Sequence, residues 1–226
     1  MAARSYGQYC GVTTAVELIG ERWALLIVRD LLVGPRRYTD LKQGLPRIPT
    51  NILSTRLKEL QEGGVVRRVP LHGCGLVYEL TPYGRALEEV VLALGRWGFQ
   101  AMGDPDDGDV VTADSLTMAL RTAFRPDHAR ELDIELHVGD VALRAIVRDH
   151  ALTVMQLAPP APPVGGAVSA GDAEAVIVAG PGIRHLIGGG VTPADAIAQD
   201  LVAVVRGEER ILDAFAETFH IDPLAA

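Results

Sequence analysis

Apolar and polar residues in the first hundred positions follow the period of amphipathic helices. This pattern predicts four successive helices, at residues 12–19, 21–34, 38–45 and 50–62. Gly34-Pro35 and Gly63-Gly64 mark two of the ends, because proline cannot continue a helix and glycine favours the conformation that closes one. Two short strands, 65–71 and 76–81, are predicted next. A supporting helix, a short connector, a second helix and a two-stranded wing are typical of a winged helix-turn-helix.

A long helix is predicted to begin at Thr81-Pro82, since threonine caps helix N-termini well and proline is tolerated at the first helical position. We expect it to run as one helix from Pro82 to Ala101. Its apolar stripe recurs at helical spacing and includes Leu87, Val90, Val91, Leu94 and Trp97. With help from the first helix, this stripe is the expected seam of a homodimer.

The second half of the chain changes to the period of strands. Leu132, Ile134, Leu136 and Val138 alternate with polar residues, which indicates a half-buried strand. The predicted order is a helix (114–124), three strands (132–139, 141–149, 152–158), a Pro/Gly loop (158–171), a strand (174–180), two helices (183–189, 193–199), a strand (201–207) and a closing helix (209–219). We therefore predict an α+β chain with two domains, 1–102 and 112–226, joined by a linker at 103–111.

Charge divides the chain in the same place. The whole sequence has a net charge of −8, but residues 1–100 hold 13 Lys and Arg against 9 Asp and Glu, a net charge of +4. The remainder carries 8 against 20, or −12. Such asymmetry suggests two units with different partners. The longest charge-free segment, 151–170, contains four prolines, so we expect no membrane-spanning helix and no membrane partner. Without a signal-peptide pattern, the expected location is the cytoplasm.

The fourth predicted helix has two faces. Leu53, Leu57 and Leu60 fall at i, i+4 and i+7 and should be buried. Another face carries side chains that can bond to base edges and phosphates, with Arg56 beside it: Asn51, Ser54, Thr55 and Lys58. Between Arg36 and Arg68 there are eight basic and three acidic residues, a local charge of +5 that suits a surface facing phosphates. A solvated polar face with no partner is the plainer alternative.

Several motifs together resemble the HxlR family of winged-helix transcription regulators. They are a cysteine before the first helix, "IGERWALLIVRDLLVGPRRYTDL", "LSTRLKEL", "LTPYG" and "LGRWG", and the resemblance covers residues 8–99. It implies a homodimer bound to a palindromic or near-palindromic site in double-stranded DNA. The DNA contacts it implies are Thr50, Asn51, Ser54, Thr55, Arg56 and Lys58, with Arg68 or His72 from the wing. We add Arg36, Arg37 and Thr39, which precede or open the third helix. The tip "PLHGCGL" lacks the family's longer, proline-containing form, which weighs against its insertion into the minor groove.

Two cysteines, Cys10 and Cys74, are too few for a disulfide scaffold. Cys10 stands at the family's N-terminal cysteine position, which in some members senses oxidation. A reactive thiol needs exposure and a lowered pKa, and the nearest basic residue in sequence is Arg4. We therefore favour a buried packing role for Cys10 over a redox sensor. Cys74 at the wing tip is expected to be exposed.

The element order of the second domain resembles the sterol-carrier-protein fold over about residues 112–222. The best-matching segment is residues 174–219, which begins "EAVIVAGPGIRHLIGGG" and ends with the closing amphipathic helix. This resemblance implies an apolar tunnel for a lipid or another hydrophobic small-molecule effector. The candidate lining residues are Met118, Leu136, Met155, Ile183 and Leu186, for which an ordinary core position is the favoured alternative.

No catalytic constellation is present. The histidines lack a paired-ligand spacing, and neither a phosphate loop nor a nucleophile elbow occurs, so we expect no enzyme activity, metal or cofactor. The leading hypothesis is a homodimeric, sequence-specific regulator of transcription. The alternative is a carrier of lipids or other hydrophobic small molecules, in which the winged helix serves only for dimerisation.

Overall fold

The computed structural model describes residues 5–73, 75–106, 108–157 and 173–223. The predicted loop 158–171 and the side chain of Cys74 lie outside these residues. The chain forms two compact units, Met1–Leu92 and Ala93–Ala226. A winged helix-turn-helix precedes a unit built on a β-sheet, so the predicted α+β class is confirmed. Among the described helices, none combines the length and the apolar character that a bilayer crossing requires.

The first unit contains the predicted helices and wing. Its elements are α1 (Gly11–Ile19), α2 (Ala24–Val33), α3 (Tyr38–Gly44), α4 (Thr50–Glu62), β1 (Val66–Leu71), β2 (Gly75–Leu80) and α5 (Pro82–Arg85). β1 and β2 pair in antiparallel register from Val66–Leu80 to Leu71–Gly75. The core is formed by buried Ile and Leu side chains from α2, α3 and α4 together with Val65 and Val77.

Helix α2 begins three residues later than predicted. Trp23 has φ +81°, a left-handed conformation that an α-helix cannot include, so the helix starts at Ala24. The Arg22 guanidinium lies 5.2 Å from the centroid of the Trp23 ring. This turn fixes the direction of the connector between α1 and α2.

The prediction of one helix from Pro82 to Ala101 is wrong. The segment forms α5 and then α6 (Glu88–Phe99), separated by a turn at residues 86–87. The Leu87 N–H donates to the Gly84 carbonyl over only three residues, which tightens the backbone and ends α5. Gly84 packs so closely on the chain entering β1 that a Cβ there would lie 2.1 Å from the Val65 carbonyl oxygen.

The two compact units divide within α6, ten residues before the predicted linker. The C-terminal turns of α6 pack on the second unit: Gly95 lies against Thr122, and the Phe99 ring lies against Gly188. These contacts explain why residues from Ala93 onward group with the second unit. The assignment of 103–111 as a linker stays a prediction.

The second unit follows the predicted order of elements. It comprises α7 (Ala113–Ala123), a 3-10 turn (Pro126–His128), β3 (Leu132–Val138), β4 (Val141–Arg148), β5 (Ala151–Gln156), β6 (Ala175–Ala179), α8 (Ile183–Ile187), α9 (Pro193–Ala198), β7 (Val202–Arg206) and α10 (Ile211–Thr218). The sheet order is β5-β4-β3-β6-β7, in which β3 and β6 are parallel and the other pairs antiparallel.

Strand β3 has the predicted two faces. Leu132, Ile134, Leu136 and Val138 are buried in a core that includes Phe215 and Phe219. The opposite face is partly polar, and there Arg144 of β4 binds both carboxylate oxygens of Asp133, at 2.7 and 2.9 Å. This ion pair lowers the pKa of Asp133.

The five residues predicted to line a hydrophobic pocket do not line one site. Met118, Leu136, Ile183 and Leu186 are buried. Met155 pairs in register with Arg144, which in turn pairs with Glu135, so it lies on the opposite face of the sheet from Leu136. Neighbouring residues of a strand point to opposite faces of the sheet. Which face Met155 occupies therefore depends on how β4 and β5 pair, and the sequence pattern does not give that pairing.

Candidate nucleic-acid interface

Helix α4 carries the predicted division between core and surface. Leu53, Leu57 and Leu60 are fully buried, which confirms the apolar face. Thr50, Asn51, Ser54 and Lys58 are exposed, and Thr55 is half-buried. The polar side chains at the start of α4 therefore face outward on a helix whose position is fixed by its leucines.

Tyr38, at the start of α3, joins the two helices of the motif and is absent from the DNA contacts predicted from the sequence. Its hydroxyl donates to the Thr50 carbonyl oxygen at 2.8 Å and lies 3.2 Å from the Ser54 hydroxyl oxygen. Ser54 also donates to the Thr50 carbonyl, at 3.1 Å. The first turn of α4 is thus held by an aromatic hydroxyl as well as by packing. No sequence pattern signals this role, because it depends on a contact between α3 and α4.

Arg56 does not lie on the outward face. Its side chain is only 13% exposed, and Nη2 is 2.9 Å from Glu21 Oε2. The guanidinium also forms an ion pair with Glu59, and Nε donates to the Arg22 carbonyl oxygen at 3.1 Å. Two carboxylates and a carbonyl therefore occupy the donors that a base or phosphate contact would need.

The two wing arginines differ in environment. Arg67 is paired with Glu79 on β2, with Nη2 2.6 Å from Oε1. Arg68 is exposed, and its guanidinium lies 5.7 Å from the centroid of the Tyr78 ring. Stacking on an aromatic face orients the guanidinium without neutralising its charge. Arg68 is consequently better suited than Arg67 to meet a phosphate.

The segment before α3 is anchored to the wing. Arg36 and Tyr78 exchange backbone hydrogen bonds of 2.9 and 2.7 Å, which places the Arg36 backbone beside β2. The Asp40 carboxylate accepts the backbone N–H of Arg37 at 2.8 Å and caps α3. The side chains of Arg37 and Thr39 are exposed at this end of the helix.

Lys58 and His72 are the remaining predicted contacts. Lys58 is 76% exposed, and its Nζ lies 3.7 Å from Glu62 Oε1, a surface pair of small energetic weight. His72 is exposed in the turn between β1 and β2. Both are accessible, in contrast to Arg56.

Cys10 is exposed, so the prediction of a buried packing cysteine is wrong. It immediately precedes α1. The backbone N–H groups of Thr13 and Val12, followed by the Thr13 hydroxyl, lower the pKa of the thiol. Backbone N–H groups at a helix start favour the thiolate form of a cysteine placed beside them. The pKa of Cys10 is thus lowered by its local backbone and the Thr13 hydroxyl, with no basic residue involved.

Comparison with known proteins places the similarity in this part of the chain. The sequence model of the HxlR-like helix-turn-helix family matches residues 18–106. The uncharacterized HTH-type transcriptional regulator YvaP of Bacillus subtilis is 38% identical over 85 residues, which are 37% of this chain and 79% of YvaP. The HTH-type transcriptional regulator YodB of Bacillus subtilis is 35% identical over 89 residues, 38% of this chain and 80% of YodB.

A third relative matches over a slightly longer stretch. The uncharacterized HTH-type transcriptional regulator Rv3095 of Mycobacterium tuberculosis is 40% identical over 97 residues, 42% of this chain and 61% of Rv3095. All three relatives carry the name of a transcription regulator. These similarities favour regulation of transcription over the alternative of a hydrophobic-molecule carrier.

Proposed function

Because the chain belongs to the HxlR-like helix-turn-helix family, we propose that it regulates transcription by binding an operator in double-stranded DNA as a homodimer. The observation that supports this most directly is the division of α4. Three buried leucines fix the helix, and the polar side chains of its first two turns remain outward. In helix-turn-helix proteins the N-terminal residues of the second helix meet base edges in the major groove.

The proposed contacts are divided by chemistry. Asn51 offers an amide that can bond bidentately to adenine, and Thr50 and Ser54 offer hydroxyls beside it. Lys58, Arg37 and Arg68 supply positive charge for phosphates, and exposed Thr39 and His72 are further proposed contacts. Arg56 is assigned instead to holding α4 against the connector before α2, because its donors are occupied within the protein.

The proposed dimer uses a second copy of this chain. Helix α6 has no buried residue, and it exposes Val90, Leu94 and Trp97 at i, i+4 and i+7. A helix whose apolar stripe is open to water in one copy gains burial by packing on another. Helix α1 exposes Val12 and Val16 in the same manner. Two-fold symmetry would place two α4 helices about 34–36 Å apart, the spacing of adjacent major grooves on one face of DNA.

Two routes of regulation belong to the proposal. Exposure and a lowered pKa make Cys10 a candidate for oxidation, as expected of a thiol with thiolate character. A hydrophobic effector in the second unit is the other. The observed order of elements agrees with the order on which the sterol-carrier resemblance depends, and that resemblance stays a prediction. No catalytic step is part of the proposal, and its place of action is the cytoplasm.

The test combines native mass spectrometry with gel retardation, using the DNA upstream of the protein's own coding sequence. We expect a dimer that binds this DNA selectively and loses affinity steeply between low and moderate salt. Leu94→Asp should yield monomers with much weaker operator binding. Ala198→Asp, at an exposed position of α9, adds the same charge and should leave both the dimer and its operator binding unchanged. A dimer with no sequence-selective retardation at any salt concentration would favour the carrier alternative.

A further inference from the structure

A cavity of about 380 Å³ lies in the second unit, where α6, the end of α7 and the segment after α10 meet. All of its lining residues belong to that unit, between Ala93 and Asp222. None of the five residues predicted to line a hydrophobic pocket is among them. Since an apolar cavity of about 150 Å³ holds benzene, this volume suits a molecule of roughly 15 non-hydrogen atoms.

Backbone hydrogen bonds fix the walls of this cavity. The His220 N–H donates to the Ala123 carbonyl oxygen at 2.7 Å, and Phe124 forms a β-bridge with Phe219. Behind the His220 imidazole stands Gly189, where a Cβ would lie 2.8 Å from Cε1. The chain after α10 is therefore fastened along the end of α7, which makes the cavity a feature of the fold.

The lining combines aromatic rings with positive charge. Trp97 and Phe124 provide the rings, and Trp97 is 69% exposed. Arg96 and Arg125 provide two guanidinium groups. No hydrogen bond or ion pair connects the Arg96 side chain to any residue in the described parts of the chain. A guanidinium that lines a cavity and has no carboxylate partner in the protein can bind the carboxylate of a ligand.

The opposing charge in the lining is Asp222. One of its carboxylate oxygens lies 3.6 Å from Arg125 Nη1 and 3.3 Å from His220 Nε2, and its side chain is largely exposed. The Asp222 carboxylate therefore neutralises the charge of Arg125, and the charge of Arg96 has no acidic partner in the lining. Two arginines against one aspartate give the lining a net positive charge, which favours an anionic ligand over a cationic one.

We propose that this cavity binds a planar aromatic carboxylate, with its rings against Trp97 and Phe124 and its carboxylate on Arg96. Arginine forks match the geometry of a carboxylate, and aromatic walls give a flat apolar ligand large contact area. This site shares no residue with the proposed DNA contacts and does not depend on them. Trp97 belongs both to this lining and to the apolar stripe of α6 proposed for the dimer.

Isothermal titration calorimetry without DNA tests this site with two probes of the same ring system, 2-naphthoate and uncharged 2-naphthylmethanol. We expect naphthoate to bind at least about tenfold more tightly, because a hydrogen bond to a charged group is stronger than a neutral one. Arg96→Gln should remove that advantage, and Arg96→Lys should keep part of it. Arg85→Gln, which removes an exposed arginine of α5, should leave both affinities unchanged.

Equal affinities for the two probes, or no detectable binding of naphthoate up to millimolar concentration, would overturn the proposal. So would an Arg96→Gln variant that binds naphthoate as well as the unaltered protein. The comparison of probes on the unaltered protein decides the matter even if a variant does not fold. Gel retardation on the same preparation reports on operator binding separately, so the failure of one proposal is distinguishable from the failure of the other.

Discussion

Arg56 of α4 lies 2.9 Å from Glu21, the residue that opens the connector between α1 and α2. The pair spans 35 positions in sequence and is supported by the Arg22 carbonyl and by Glu59. Since Trp23 in this connector has a left-handed backbone, the ion pair fixes a turn whose conformation is intrinsically unfavourable. Arg56, which the sequence predicts as a DNA contact, is thus a structural residue of the domain.

Replacing Arg56 by alanine should lower the free energy of unfolding by about 1–2 kcal/mol, since charged hydrogen bonds are lost while the carboxylates remain partly solvated. Thermal and urea melts monitored by circular dichroism measure this. Lys58→Ala is the matched control on the same helix: it should leave the melts unchanged and weaken DNA binding. If Arg56→Ala keeps full stability yet loses operator specificity, the residue contacts bases after all.

The wing offers a pair of neighbouring arginines for a second prediction. Arg68→Gln should reduce the slope of log affinity against log salt concentration by about 0.9, the contribution of one phosphate contact. Arg67→Gln should change the slope far less, because Arg67 is already paired with Glu79. Fluorescence anisotropy over a salt series compares them. Equal slopes for the two variants would argue against wing contact through Arg68.

Tyr38→Phe should destabilise the protein by about 0.5–1.5 kcal/mol, because the hydroxyl that bonds to the Thr50 carbonyl is lost while the ring is retained. Operator affinity should fall with it, since the first turn of α4 loses a support. Tyr83→Phe provides the control: Tyr83 is exposed on α5, and its hydroxyl makes no hydrogen bond to the described residues. Indistinguishable melts for the two variants would remove Tyr38 from this role.

Cys10 should be alkylated by iodoacetamide with a pH midpoint below the value of about 8.5 for an ordinary cysteine, because backbone N–H groups favour the thiolate. The measurement is made on Cys74→Ser, so that one thiol reacts, and repeated in urea, where the ordinary pKa should return. Because the pKa of Cys10 is lower in the folded protein than in the unfolded chain, the thiolate stabilises the folded state. This contribution to the free energy of unfolding is fully present above the unfolded pKa and is lost as pH falls through the folded pKa. Coincident profiles in buffer and urea would contradict the lowered pKa.

Gly95 and Gly98 on α6 should respond oppositely to alanine. A Cβ at Gly95 would lie 2.9 Å from Thr122, whose hydroxyl is bonded to the Met118 carbonyl, so Gly95→Ala should cost about 1–3 kcal/mol. Gly98 has open space, and Gly98→Ala should stabilise by up to about 1 kcal/mol through helix propensity. Melts of both variants test this, and Thr122→Ala combined with Gly95→Ala should recover part of the loss.

Much of the fold follows from local pattern. The bounds of α4 were predicted to the residue, because Thr50 opens the helix after a proline and Gly63-Gly64 closes it. The alternation in β3 likewise identified the buried face of the sheet. In both elements the buried apolar residues follow a single spacing, helical in α4 and alternating in β3, from one end to the other. Proline and glycine residues at the ends of α4 show where that helix begins and ends.

Features that depend on contacts between residues distant in sequence could not be predicted from the local pattern. The spacing of Arg56 places it beside the outward face, but its direction is decided by Glu21, which is distant in sequence. Tyr38, Gly84 and Gly95 owe their roles to close approaches between elements. The lowered pKa of Cys10 depends on backbone groups, which every sequence contains and no pattern reveals.

The parallel pairing of β3 with β6 has a consequence for how the chain acquires its structure. Ile134 is in register with Ala175, and β4 and β5 lie between these two residues in sequence. The central β3–β6 pair therefore forms only after β4, β5 and β6 have been synthesised. Pairings between residues far apart in sequence form slowly, because chain entropy is lost before contacts are gained. During synthesis the winged helix emerges before the sheet, and its described contacts lie within residues that have already left the ribosome, so it can fold while the sheet is incomplete. The last turns of α6 then gain their packing late, when the second unit closes around them.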